Sequence, residues 1–317
     1  MRIADAAGWC GVIASLASLA ALVPAPWIGA FPLALGVLGT ATIGIGHGAL
    51  DHDLPRMLRG ASRATSVRIA AAYLAVLAAG FAAFCAAPPL MLYAFIALSL
   101  YHFALGDADF ARRYVTAASA RMSRPGSAWL AGALPFVVPA LAHPAAVAAG
   151  FAAVLAPLPA QLPAALAVSA PAALGAIGLL VAVESARRLR LPLQGGSAWW
   201  ALELPAAFAA FIAAPPLTAF LLYFAFWHAL RHVVVLADAA GYDVRAPWPA
   251  LASVAAGMTA KLTPMTLGAF GILLAGAALS RGRIPLPAVV IGLTFATTVP
   301  HVACVAFLRR TLSAKSA

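Results

Sequence analysis

Apolar runs close to the length that crosses a bilayer, roughly 20 residues, follow one another through most of this sequence. Of all residues, 64% are hydrophobic and only 9% are charged. A soluble domain needs about 25% charged residues to cover its surface. The composition therefore excludes a soluble domain and predicts an all-α protein, a polytopic bundle of transmembrane helices.

We predict ten spans, with eight or nine as alternative counts, in a single integral membrane domain that covers residues 1–317. The spans are placed near residues 8–24, 29–50, 67–86, 88–107, 127–142, 164–185, 198–214, 216–240, 265–280 and 284–308. The fifth span is short and is followed by a proline-rich link at 143–163, and the ninth span is also short.

Lys and Arg are concentrated in alternate links between the predicted spans. The link at 51–66 is rich in Arg, whereas the links at 25–28 and 143–163 contain no Lys or Arg. By the positive-inside rule this pattern predicts cytoplasmic termini, although Arg281 and Arg283 conflict with the alternation. The net charge of +11 is therefore interpreted as a topology signal and not as a sign of nucleic-acid binding.

Five histidines recur near the predicted inner ends of four spans that run in the same direction. His228 and His232 are four residues apart, so they lie on one face of a helix. His47, His102 and His301 lie at a comparable depth. Ionisable residues inside spans usually face the interior of a bundle, where they bind a ligand or relay protons. The pattern predicts a metal or heme site, and imidazole ligands suit iron, copper or zinc.

The sequence is less specific about the functions of the other polar residues near these histidines. Asp51 follows His47 by one helical turn, so it is predicted to accept a hydrogen bond from the His47 ring and to fix its tautomer. The alternative is that Asp51 and Asp53 cap the helix end or pair with Arg56. His52 lies on another face of the helix, and His143 is predicted to be a loop residue on the outer side.

Four segments carry a resemblance to a known family: GIGHGALDH at 44–52, YHF at 101–103, WHALRH at 227–232 and PH at 300–301. Together and in this order they resemble the Brp/Blh family of membrane β-carotene 15,15'-dioxygenases. The resemblance implies a multi-pass enzyme of the bacterial inner (cell) membrane that splits β-carotene at its central 15,15' double bond. O2 is the co-substrate and two molecules of all-trans-retinal are the products, which makes an opsin a plausible recipient.

The resemblance also implies a cofactor and its ligands. The cofactor is a non-heme Fe(2+), and the catalytic metal ligands are His47, His102, His228 and His232. Asp51 and His301 are expected beside these ligands and not on the metal. His301 matches a further histidine of the family to which the sequence alone assigns no role.

A carotenoid substrate is dissolved in the bilayer, so its passage to the metal should open towards lipid and be lined by aromatic side chains. The aromatic residues nearest the histidines in sequence are the predicted lining: Tyr101, Phe103, Tyr223, Phe224 and Trp227. The alternative is that these side chains pack between helices, as aromatic residues commonly do in an apolar bundle.

Three other classes of protein remain open from the residues. A heme-binding membrane protein also uses histidines on neighbouring helices. A desaturase or hydroxylase would be a histidine-ligated metalloenzyme that acts on another lipid, although this chain lacks adjacent histidines. A transporter would need a relay of ionisable residues, for which Asp51, Glu184, Glu203 and Arg231 are candidates.

Overall fold

The computed structural model describes residues 1–48, 50–115, 125–155, 161–191, 198–247, 252–258 and 286–315, with isolated positions between 250 and 278. Its longer helices are α1 (Ile3–Ala17), α2 (Pro26–Gly39), α3 (Leu54–Arg59), α4 (Arg63–Ala86), α5 (Pro88–Tyr114), α6 (Pro125–Ala142), α7 (Pro144–Leu155), α8 (Gln161–Leu189), α9 (Trp199–Ala213), α10 (Pro216–Tyr223), α11 (Leu230–Ala239) and α12 (Leu286–Lys315). No strand occurs in these residues beyond an isolated bridge between Arg2 and Pro247. The all-α prediction is confirmed.

Within the described part of the chain, seven helices are long and apolar enough to cross a membrane. They are Ile3–Leu22, Pro26–Gly44, Arg63–Ala86, Pro88–Tyr114, Ser169–Leu189, Pro216–Ala239 and Ala288–Leu312. The bent pair formed by α6 and α7 makes eight if it counts as one span. A polytopic helical membrane protein is therefore confirmed. The predicted seventh span is α9, which has only 15 residues. The predicted ninth span at 265–280 lies mostly outside the described residues, as do Arg281 and Arg283.

After the fifth span a link was predicted at 143–163. Its first part is wrong, because a helix begins at Pro144. The chain bends by 103° after Ala142 and then forms α7, which begins at Pro144. Proline suits the first turn of a helix because it has no N–H to leave unpaired there, so this proline starts a helix instead of extending a loop. His143 is the residue that connects the two helices.

Two predicted span ends also differ from the structure. The second span, predicted at 29–50, ends early: a π-helical turn at Thr40–Gly44 follows α2, and the chain then turns at His47. The fourth span, predicted to end at residue 107, instead continues in α5 to Tyr114. The charged residues near the end of α5 can be buried because each has an ion-pair partner. Asp107, for example, pairs with Arg231. His102 consequently lies near the middle of its helix.

Glycines allow the close helix contacts that hold the site. A Cβ on Gly132 of α6 would lie 2.6 Å from the backbone nitrogen of Ala104 in α5. A Cβ on Gly8 of α1 would lie 2.2 Å from the ring of Trp199 in α9. Small residues let membrane helices approach closely and gain van der Waals contact. The α5–α6 contact thus positions the helix that carries His102.

Candidate metal centre

The structure brings all five intramembrane histidines into one buried cluster. The ring centroid of His228 lies 4.8 Å from that of His102 and 5.5 Å from that of His47. The centroids of His47 and His232 are 5.6 Å apart, and His301 lies 4.7 Å from His47. His102 and His228 are each only 4% exposed. The cluster therefore combines rings from α5, α12, the end of the α2 span and the span that contains α10 and α11.

Two of the helices that carry histidines contain a π-helical turn at the cluster. One turn, Thr40–Gly44, ends three residues before His47, and the other, Phe224–Ala229, contains His228. A Cβ on Gly44 would come within 2.8 Å of the Phe224 ring, so glycine lets the two turns meet. Single π-helical turns are rare and are frequent at functional sites. The histidines of these two helices therefore meet at locally widened turns.

The nitrogens of the cluster are arranged as metal ligands would be. His47 Nδ1 is hydrogen-bonded to the carbonyl oxygen of Gly44, which leaves Nε2 as its free nitrogen. Ligand atoms of His47, His102 and His228 all lie within 4.8 Å of one another. The Nε2 atoms of His102 and His228 are 3.1 Å apart. Two imidazole nitrogens bound at about 2.1 Å to one metal lie about 3 Å apart when their bonds are perpendicular.

A further ligand nitrogen in the cluster has no hydrogen-bond partner among the described residues: His232 Nε2, which is buried. Buried polar atoms are nearly always hydrogen-bonded, so an orphaned nitrogen needs an explanation, and service as a metal ligand is one. The donor set consists of imidazoles, which suits iron, copper or zinc. The residues therefore fit a histidine-bound transition metal.

Asp51 is hydrogen-bonded to His301 and not to His47, contrary to the prediction. Its Oδ2 instead accepts a hydrogen bond from Nδ1 of His301, at 2.7 Å. The prediction assumed that the helix of His47 continued to Asp51, whereas the chain turns at His47 and Gly48. A Cβ at Gly48 would lie 3.2 Å from His301 Nδ1, so this glycine makes room for the pair.

Asp53 pairs with Arg56 at 2.6 Å. This pairing was the alternative interpretation of the two aspartates. The hydrogen bond from Arg56 holds the pKa of the Asp53 carboxyl below its usual value. Asp53 also accepts a hydrogen bond from the Ser66 hydroxyl, and its side chain does not cap α3. The two aspartates therefore have different surroundings, and Asp51 is the one that contacts the histidine cluster.

The predicted aromatic lining divides into three groups. Phe103 and Phe224 contact the histidines: the Phe103 ring lies 4.0 Å from that of His228, and the Phe224 ring lies 5.6 Å from that of His47. Tyr101 is 44% exposed and lies beside Trp129. The third group, Tyr223 and Trp227, is fully buried and donates hydrogen bonds to Asp107. Only the first group adjoins the cluster.

A buried charge network surrounds Arg231, which lies in sequence between His228 and His232. Its guanidinium pairs with Asp107 at 3.2 Å and with Glu203 at 2.7 Å, and it lies 4.6 Å from the centroid of the Trp227 ring. Glu203 also pairs with Arg188 at 2.6 Å. Sequence reasoning did not single out Asp107, although it lies in the helix of His102, five residues further along.

These ion pairs bear on the transporter alternative. Its proposed relay residues all have close partners: Glu203 with Arg231 and Arg188, Glu184 with Arg187 and Arg188, and Asp51 with His301. Buried charges that pair across helices are suited to fixing those helices relative to one another. The network is therefore better explained as a scaffold for the histidines.

A small cavity with a mixed polar and apolar lining adjoins the cluster on the side of this network. It is lined by His102, Gly106, Asp107, Asp109, Phe110, His228, Arg231, His232, Val235, Val305, Leu308 and Arg309. None of the five predicted aromatic residues lines it. The cavity and the aromatic contacts thus involve different neighbours of the histidines: charged residues line the cavity, whereas Phe103 contacts His228 and Phe224 contacts His47.

Comparisons with known proteins agree with the histidine pattern. The family model described as beta-carotene 15,15'-dioxygenase matches residues 38–309, a range that contains all five clustered histidines. A probable beta-carotene 15,15'-dioxygenase, Blh, from Halobacterium salinarum is 30% identical over 244 residues, which cover 73% of this chain and 69% of that protein. No solved structure matches the chain. The chain belongs to the beta-carotene 15,15'-dioxygenase family.

Proposed function

We propose that this protein cleaves β-carotene at its central 15,15' double bond with O2 and releases two molecules of all-trans-retinal. The observation that carries the proposal is the buried cluster of imidazoles drawn from four helices, within a chain of the beta-carotene 15,15'-dioxygenase family. The clustered histidines are spread from His47 to His301, which supports the predicted single membrane domain over residues 1–317.

The metal in this proposal is non-heme Fe(2+), held by His47, His102, His228 and His232. When bound, iron supplies the redox chemistry that allows O2 to react with the polyene. The four imidazoles are neutral ligands, so they leave the positive charge of the metal uncompensated. The π-helical turns and the hydrogen bond of His47 to Gly44 orient the rings, and such outer contacts tune metal sites.

An aromatic row supports a route for the polyene from the bilayer. Phe220 and Phe224 stack with their ring planes 3° apart at 6.1 Å, and the Phe224 ring lies 18° from that of His228. Phe136 extends the row, with its ring 5.5 Å from that of Phe103. Phe136 and Phe220 are partly exposed on the helix surface. We propose that a carotenoid lies along these rings, so that its central double bond reaches the histidines.

The low solubility of a carotenoid in water is the reason to expect a route from the bilayer. Removing a long hydrocarbon from lipid into water costs about 0.8 kcal/mol for each CH2-sized group, so entry through water would be prohibitive. Entry along a partly exposed aromatic row avoids this cost. Tyr223 and Trp227 do not belong to the row, because their polar atoms are committed to Asp107.

The heme alternative conflicts with the spacing of the rings. The described histidine rings lie 4.7 to 5.6 Å apart and meet edge to face, as for His47 with His232 and with His301. A porphyrin plane needs a flat opening between two imidazoles, and the other rings of the cluster occupy that space.

The charge pattern of the links supports a multi-pass inner-membrane location with both termini on the cytoplasmic side. Product released within the bilayer would be available to a membrane-bound acceptor of retinal, such as an opsin. The membrane location and the retinal acceptor are proposed independently of the chemistry of the site.

Expression in bacteria that accumulate β-carotene tests the proposed reaction. Pigments extracted from these cells should contain retinal and less β-carotene than cells that express the His102→Ala variant. Retinal as the sole aldehyde product identifies cleavage at the central double bond, whereas longer and shorter apocarotenals would show cleavage elsewhere. Unchanged β-carotene in cells with intact, membrane-inserted protein would contradict the proposal.

A further inference from the structure

His301 lies as deeply in the histidine cluster as the four ligands considered so far. Its ring centroid is 4.7 Å from that of His47, 4.8 Å from that of His102 and 5.3 Å from that of His232. The residue is 5% exposed. These distances are no longer than those among the other rings, so His301 is a member of the cluster and not a neighbour of it.

The two ring nitrogens of His301 have different surroundings. Nδ1 donates a hydrogen bond to Asp51 Oδ2 at 2.7 Å, and Asp51 is 2% exposed. This bond selects the tautomer that carries its proton on Nδ1, so Nε2 has a free lone pair. Nε2 is buried and has no hydrogen-bond partner among the described residues. A carboxylate that accepts from one ring nitrogen while the other faces a metal is a recurrent arrangement in metalloproteins.

We propose that His301 is a fifth imidazole ligand of the metal, bound through Nε2, and that Asp51 positions it by accepting its Nδ1–H. This inference rests on the proposed metal site and extends its ligand set. Five imidazoles leave one position of a six-coordinate metal open instead of two. The carboxylate of Asp51 makes the His301 imidazole a stronger donor and fixes the plane of its ring.

A direct bond between Asp51 and the metal is the alternative to this assignment, because Asp51 Oδ1 is buried and has no hydrogen-bond partner among the described residues. Asp51 Oδ2 is occupied by His301, although ligand atoms of Asp51, His232 and His301 lie within 4.8 Å of one another. A carboxylate ligand would bring negative charge to the metal, whereas a carboxylate behind His301 acts only through the ring. Asp51→Asn keeps an acceptor for the Nδ1–H and removes the charge.

X-ray absorption at the iron edge of the purified, iron-loaded protein tests the proposal, because imidazole rings give a countable multiple-scattering signal. We expect five imidazoles in the wild-type protein, four in His301→Gln and five in Asp51→Asn. Iron affinity should fall by about 10- to 100-fold in Asp51→Ala, the range found for such carboxylate partners. His143→Ala is the matched control, because His143 Nε2 is also buried with no partner in the described part of the chain but lies at the bend between α6 and α7.

Rescue by added imidazole separates a ligand from a merely structural residue. His301→Gly should lose iron and regain it when imidazole fills the vacated space. A folded His301→Gly protein that regains no iron, or a His301→Gln protein with the wild-type spectrum, overturns the proposal. Wild-type protein that binds no metal overturns both this inference and the proposed function. Wild-type protein that binds iron and forms retinal, with an unchanged spectrum in His301→Gln, overturns this inference alone.

Discussion

The Nε2 atoms of His102 and His228 lie 3.1 Å apart although the two residues are 126 positions apart in the chain. Both histidines are buried, with 4% of each residue exposed. Two imidazoles that meet in this way share either a proton or a metal. The nearby unpartnered nitrogen of His232 favours the metal.

Substituting either member of this pair should remove iron. His102→Ala and His228→Ala each delete one nitrogen of the donor set, so we expect iron content to fall at least tenfold and retinal formation to cease. His52→Ala is the control, since His52 lies outside both groups of candidate ligands. Iron content measured by mass spectrometry on purified protein checks this, and full occupancy in either variant would remove that residue from the ligand set.

The sequence predicted those parts of the fold and site that depend on local spacing. Apolar runs predicted membrane helices, and the four-residue interval placed His228 and His232 on one side of a helix. That interval holds despite the π-helical turn at Phe224–Ala229, because the turn ends at the residue after His228. Proline was a less reliable guide to the links between helices. Pro144 starts a helix where a proline-rich link was predicted.

Long-range pairing was not accessible from the sequence. The partner of Asp51 is 250 positions away, and its identity depends on a turn at Gly48 that no local pattern indicates. Asp107 marked the end of a predicted span because an unpaired carboxylate is costly in a membrane. Arg231, 124 positions later, removes that cost, and a single sequence does not show which charges will meet.

The buried Arg231 should contribute strongly to stability. Arg231→Gln leaves Asp107 and Glu203 without their shared cation, and breaking a buried pair costs about 3–5 kcal/mol. We expect a clear fall in the free energy of unfolding, measured by denaturant titration in detergent micelles. Arg56→Gln is the control, because Arg56 is 56% exposed and its pair with Asp53 lies at the surface. Equal loss in both variants would contradict a scaffold function for the network.

Close packing at Gly132 should be required for the position of His102. A Cβ at this site would lie 2.6 Å from the backbone of Ala104, which cannot move as a side chain can. Gly132→Ala should therefore destabilise the protein by about 1–3 kcal/mol, the cost usual for overpacking. Gly150→Ala is the matched control, with nothing within 4 Å of the added Cβ. Thermal unfolding together with iron content measures both effects, and wild-type values for Gly132→Ala would show that α5 and α6 separate freely.

The aromatic row should determine how the carotenoid is held, independently of the metal. Phe224 contacts His47 and stacks on Phe220, but it offers no ligand atom, so Phe224→Ala should leave iron content unchanged. Aromatic contacts contribute about 0.5–1.5 kcal/mol beyond their buried area, which corresponds to a roughly twofold to tenfold rise in KM for β-carotene. The wider passage should also allow the polyene to slide, so that apocarotenals of unequal length join retinal among the products.

Phe31→Ala is the matched control for this prediction, because Phe31 is 60% exposed on α2 and distant in sequence from every clustered histidine. Initial rates with β-carotene in detergent micelles and chromatography of the aldehydes give KM and the cleavage position together. If Phe224→Ala kept both the KM and the single product of the wild-type enzyme, the substrate would have to approach along another face.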